Sequence, residues 1–161
     1  MPKLSKPKIY LETSVISAYF DFWQDAPLQK KWTRIFWRSA LPKYNIVISD
    51  IVRSEILAFT SDKWKDKVLK KVNNFKILAV NHDVEKLAQA YMHHGIVPKS
   101  KKEDALHLAV CLHYKLDYLI TWNKKHIVRD YKIKQILEFN SQRGLAGPVI
   151  LNPLMFLEII L

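Results

Sequence analysis

The chain is short of cysteine, glycine and negative charge, and each shortage removes a class of function. A single cysteine, Cys111, rules out an intrachain disulfide framework or a cysteine-built zinc site within one chain, and its apolar neighbours mark it as core. Three glycines in 161 residues leave no glycine-rich loop to cradle phosphates, which disfavours a Rossmann-type nucleotide fold. No apolar run approaches the length of a membrane span. The first eight residues alternate Lys with Pro and Ser where a signal peptide would be apolar. A cytoplasmic protein with no membrane association is expected. Internal repeats, low-complexity stretches and linkers are also missing, so residues 1–161 are expected to form one domain.

What is abundant is apolar surface and positive charge. Hydrophobic residues make up 49% of the chain and charged ones 25%, a composition that supports a packed core. Twenty-six Lys and Arg against fifteen Asp and Glu leave a net charge of +11. The excess gathers at residues 63–71, 99–102 and 124–134. Such a surface steers polyanions, of which nucleic acid is the commonest, although a solvated basic surface would look the same.

Hydrophobic patterning alternates between short β-prone runs and helical stretches. Strands are predicted at residues 8–11, 44–48, 76–80, 117–121 and 148–151. Helices are predicted at 15–20, 28–41, 51–59, 62–75, 82–94, 102–114, 133–143 and 153–160. Thr13 and Ser14 offer capping hydroxyls, Ser49 and Asp50 start a helix well, and Gly95 and Gly144 stop two others. The helix at 102–114 is apolar on nearly every side and should be central. Strands separated by helices imply right-handed parallel crossovers. The expectation is an α/β fold whose central, mostly parallel sheet of about five strands is covered on both faces.

Ligands of an open parallel sheet gather beyond the carboxyl ends of its strands, which singles out four polar positions. Glu12 ends the first strand, where a buried carboxylate is costly unless a cation or several donors compensate; a helix-start carboxylate is the plainer explanation. Glu55 lies on the helix after the second strand and by itself reads equally as a surface ion-pair member. Asp104 and His107 share one helical face; a hydrogen-bonded core histidine is the preferred reading of His107. Asn123 follows the fourth strand, where a turn or cap role competes with a metal-ligating carbonyl. Thr121 and Ser14 are candidate supporting donors. Three carboxylates and an amide reaching one sheet edge form an oxygen-only set that selects Mg2+ or Mn2+, the ions of metal-assisted phosphodiester hydrolysis.

Four ordered motifs carry a resemblance across nearly the whole chain. They are Ile9-Tyr10-Leu11-Glu12-Thr13-Ser14-Val15-Ile16, Ile48-Ser49-Asp50-Ile51-Val52-Arg53-Ser54-Glu55-Ile56, Lys102-Glu103-Asp104-Ala105-Leu106-His107-Leu108-Ala109, and Asp117-Tyr118-Leu119-Ile120-Thr121-Trp122-Asn123-Lys124-Lys125-His126-Ile127. In these the chain resembles the PIN-domain family, and particularly its VapC-like toxins. The resemblance implies a three-layer α/β/α fold and a Mg2+- or Mn2+-dependent endoribonuclease that acts on RNA. It further implies frequent homodimerisation and inhibition by a small antitoxin protein. By position, Glu12, Glu55 and Asp104 match the family's acidic residues and would hold metal, with Asn123 and Thr121 positioning water or substrate. Two departures stand out. The first acid is usually Asp, and Asn123 falls where many members carry a fourth acid, so one tightly held metal is expected. The alternative is a catalytically weak PIN-fold module that binds RNA or protein. A metal-dependent phosphatase or receiver-like phosphotransfer domain ranks below both, because the basic surface suits a polymer.

Overall fold

In the computed structural model, residues 5–59, 61–123, 127 and 130–160 are described. Five strands form one parallel sheet: β1 (Lys8–Leu11), β2 (Asn45–Ser49), β3 (Lys76–Leu78), β4 (Tyr118–Ile120) and β5 (Val149–Leu151), in the order β3-β2-β1-β4-β5. Every described pairing is parallel. The helices between them are α1 (Thr13–Phe20), α2 (Pro27–Ser39), α3 (Asp50–Phe59), α4 (Asp62–Val72), α5 (His82–His93), α6 (Lys102–His113), α7 (Asp130–Gln142) and α8 (Pro153–Ile160).

Central β1 is apolar on both faces, with Ile9, Tyr10 and Leu11 all fully buried, as a strand covered on two sides must be. On one face Tyr10 meets His107 of α6; on the other, Tyr118, in register with Ile9, packs edge-on against Phe156 of α8. Phe36 of α2 stacks edge-on to the same Phe156. These contacts make the three layers. Helix α6 is the expected central helix: the eight consecutive residues from Ala105 to Leu112 are all buried. The five-stranded α/β/α reading holds.

Element ends differ from the sequence reading for identifiable reasons. Helix α1 starts two residues early, at Thr13, because the Glu12 side chain caps it by accepting from the Ser14 amide. Pro27 opens α2, where its missing amide proton costs nothing. Strand β3 stops at Leu78 instead of residue 80, since the Val80 amide turns to the Asp50 carboxylate and leaves the ladder. Helix α4 ends at Val72, three residues short of expectation, as the Phe75 amide closes a turn on the Val72 carbonyl. Gly95 and Gly144 stand where they were read as helix stops, at φ of +71° and +68°, which side-chain-bearing residues rarely adopt. Residues 124–126 and 128–129, within the third basic run and the last family motif, lie outside the described residues.

The strand order fixes where a site can form. From β1 the chain passes to β2 on one side, whereas β4 lies on the other, so the carboxyl ends of β1 and β4 flank the switch point where such sheets open a crevice. Glu12 and Thr121 are the residues that follow those two strands.

Candidate active site

Glu12 leaves β1 at the switch point, its backbone amide still bonded to the Ile120 carbonyl at 3.0 Å. The residue is 5% exposed. Oxygen Oε2 accepts from the Ser14 amide (3.1 Å), the Ser14 hydroxyl and the Thr121 hydroxyl (2.7 Å). Oxygen Oε1 lies 3.7 Å from His107 Nε2. One oxygen of Glu12 therefore serves the helix start and the other faces His107.

Glu55 projects from α3 toward the same point. Its Oε1 accepts from the Thr13 hydroxyl at 2.9 Å and lies 2.6 Å from His107 Nε2. Ligand atoms of Glu12, Glu55 and His107 lie within 4.8 Å of one another. Behind them His107 Nδ1 is 2.6 Å from the Tyr10 hydroxyl, which is 2.8 Å from the Ser49 hydroxyl. Burial keeps the Tyr10 phenol protonated well beyond its ordinary range. Burial also opposes charge on His107, but the Glu55 hydrogen bond and the charges of Glu12, Glu55 and Asp104 outweigh it and raise its pKa.

Asp104, in the first turn of α6, accepts from Asn123 Nδ2 at 3.0 Å. It lies outside the tight Glu12–Glu55–His107 group, yet lines one cleft of about 450 Å³ with Glu12, Glu55, Asn123, Thr13 and Ser14. Of the five site residues that the family resemblance implies, Glu12, Glu55, Asp104 and Asn123 line this one cleft. Thr121 is not among the lining residues and is fully buried. Its hydroxyl instead donates to Glu12 and accepts from the Asn123 amide at 3.0 Å, which makes it a positioning residue. Asn123 also has its amide nitrogen committed to Asp104, a role the spacing alone does not reveal.

Sequence reasoning missed Tyr10, Ser49 and Thr13. The available signal was the hydroxyl of Tyr10 in an otherwise apolar central strand, which must find a buried partner. His107 was read as a hydrogen-bonded core histidine; both its ring nitrogens are in hydrogen bonds, and one partner is a cluster carboxylate.

Among the described residues, no Lys or Arg forms an ion pair with Glu12 or Glu55. Two close carboxylates, one almost fully buried, have the His107 imidazole as their cationic neighbour among the described residues. An oxygen-rich pair of this kind suits a hard divalent cation, and Asp104 adds a third carboxylate to the same cleft. The residues present therefore fit the metal that the resemblance implies.

A PIN-domain family profile matches residues 9–132. The chain belongs to the PIN-domain family. PIN domains are generally nucleases, which makes a hydrolase the general expectation for its chemistry. Solved structures of similar fold include the following two. One is a toxin–antitoxin complex from Klebsiella pneumoniae, 18% identical, covering 77% of this chain and 93% of the other with a TM-score of 0.58. The second is VapBC2 from Rickettsia felis bound to a DNA fragment from its promoter, 14% identical, covering 90% and 98% with a TM-score of 0.53. No match is found among curated proteins. Among the described residues, no helix of this PIN-domain chain is long and apolar enough to cross a membrane.

Proposed function

We propose that this PIN-domain chain is a cytoplasmic, divalent-metal-dependent endoribonuclease of VapC toxin type. In this reading residues 1–161 act as one domain, as a homodimer, and are restrained by a small antitoxin protein. The observation that carries the catalytic part is the convergence of Glu12, Glu55 and Asp104 on one cleft at the switch point of a parallel sheet, with no Lys or Arg paired to Glu12 or Glu55 among the described residues. The partner rests on the fold likeness to toxin–antitoxin complexes, and the substrate on the +11 charge.

Glu12, Glu55 and Asp104 would hold Mg2+ or Mn2+. Such an ion, when bound, supplies Lewis-acid stabilisation of phosphate charge and lowers the pKa of nearby water. The chain's own residues set the geometry. Ser14 and Thr121 fix the Glu12 carboxylate, Thr13 and His107 fix that of Glu55, and Asn123 holds Asp104. His107 is backed in turn by Tyr10 and Ser49, a continuous line of polar groups through the core.

Purified protein is expected to cleave RNA internally with Mg2+ or Mn2+ and to stop in chelator. Thr121→Val, which removes an outer hydrogen bond, should lower metal affinity or activity about 10- to 100-fold. Asp104→Asn should cost more than that. Robust cleavage by Asp104→Asn would sink the assignment. One observation favours a second reading, a PIN-fold module that binds RNA with little cleavage. Asn123 stands at the position of a fourth acid and brings no negative charge. Undiminished RNA binding with no turnover under any divalent metal would select it.

A further inference from the structure

A second cavity, larger than the carboxylate cleft, is found among the described residues. It lies at the opposite pole of the sheet, around the amino ends of β1, β2 and β3, and has a volume of about 880 Å³. Lys8, the first residue of β1, lines it, whereas Glu12, just past the end of the same strand, lines the carboxylate cleft. Four steps along an extended strand separate the two by about 13 Å. The volume is within the usual range for small-molecule sites, roughly 300–1,000 Å³.

Its lining has one sign of charge. Lys8, Lys70, Lys71 and Lys76 contribute ammonium groups, and no Asp or Glu is among the lining residues. Within the described part of the chain, none of the four takes part in an ion pair. Four such charges around one concavity repel one another, and an anion of more than one charge relieves that repulsion. Flat apolar surface stands beside them. Trp37 and Phe75 pack against each other at a tilt of 47° with centroids 5.6 Å apart, and Lys71 Nζ lies 5.9 Å from the Trp37 centroid and 4.6 Å from that of Tyr19. Buried Val47 and Leu78 form an apolar floor.

Lysines bind phosphate as point charges, and aromatic faces accept any base by stacking. We infer that this amino-pole cavity is a second ligand site that takes a nucleotide unit, with its phosphates on Lys8, Lys70 and Lys76 and its base against Trp37 and Phe75. The same chemistry is offered by a free nucleoside polyphosphate and by a stretch of RNA strand away from the scissile bond. An acidic peptide would satisfy the lysines and leave the rings unused. The site does not depend on hydrolysis at the carboxylate cleft, and its test is run without metal.

ATP and a ten-residue oligouridylate are titrated into the full chain in chelator by calorimetry, alongside a ten-residue polyglutamate. Saturable 1:1 binding of ATP is expected. Lys70→Ala/Lys76→Ala, both exposed positions, should weaken it at least tenfold and make its salt dependence shallower by roughly one in log–log slope for each lysine removed. Lys70→Arg/Lys76→Arg should restore binding. Lys63→Ala/Lys86→Ala, the same charge change away from the cavity, should leave it intact. If ATP displaces the oligouridylate, the site belongs to the RNA strand; if ATP binds without displacing it, the site takes a free nucleotide. No saturable ATP binding, equal loss in the Lys63/Lys86 control, or polyglutamate bound as tightly as ATP would each overturn the proposal.

Discussion

The buried end of β1 places several polar groups where none can be left unpaired. Tyr10, Ser49, His107 and Thr121 are each fully buried, and each has a side-chain hydrogen bond. His107 ties this line to the carboxylates and gives the metal-free protein a pH dependence. Its folded pKa is raised above the unfolded value of about 6.5. The stability it contributes is therefore fully present below pH ~6.5 and is lost as pH rises through the higher folded value. Urea midpoints measured in chelator should decline across that interval. A midpoint that rises there would show that His107 is not held as the cation by its carboxylate neighbours.

Helix termini do two jobs in this fold. Glu12 caps α1 while facing the cleft, and the first turn of α6 presents Asp104 to the same cleft, both at helix ends where negative charge is favoured. Other ends are purely structural. Asn81 caps α5 by accepting from the Val84 amide at 3.0 Å, far along the chain from any cleft residue. Asn81→Ala should cost about 1 kcal/mol of unfolding free energy with no change in RNA cleavage. Chemical denaturation and a cleavage assay together check this. A parallel loss of activity would mean that α5, which packs on α6, transmits strain to Asp104. Trp32 and Phe36, one turn apart on α2, both belong to the core: Phe36 is fully buried and Trp32 packs against the same core while half-buried.

On the scale of the whole molecule, the proposed metal joins the end of β1 to helices α3 and α6, so binding should register as global stability. At a metal concentration 100 times its dissociation constant the gain is about 2.7 kcal/mol. For a chain of this size that raises Tm by roughly 5–10 °C. Differential scanning with Mn2+ and with Mg2+ is the measurement, and Glu55→Gln should abolish most of the shift. An equal shift in Glu55→Gln would place the ion elsewhere. The two poles of the sheet differ in sign, carboxylates beyond the carboxyl ends and lysines around the amino ends, so charge is segregated along the strand axis as well as in excess overall.

How much of this was legible beforehand depends on the range of the interaction. The alternation of strand and helix, the apolar α6, the glycine stops and the positions of Glu12, Glu55, Asp104 and Asn123 all follow from local pattern, because strand and helix periodicity and cap chemistry are written within a few residues. Local pattern could not say that Thr121 turns inward to Glu12, that Asn123 spends its amide on Asp104, or that Tyr10 and Ser49 back His107. Each of those contacts joins residues from separate elements, and a one-residue change in register would exchange their faces. The amino-pole cavity is of the same kind. Its lysines come from β1, α4 and β3, and only the parallel stacking of β3, β2 and β1 gathers them around the rings of Trp37 and Phe75. Sequence by itself determined which groups exist and roughly which strand end each occupies. The tertiary structure decided which of them face one another, because a hydrogen bond or a shared ion demands ångström-level convergence that spacing along a chain does not encode.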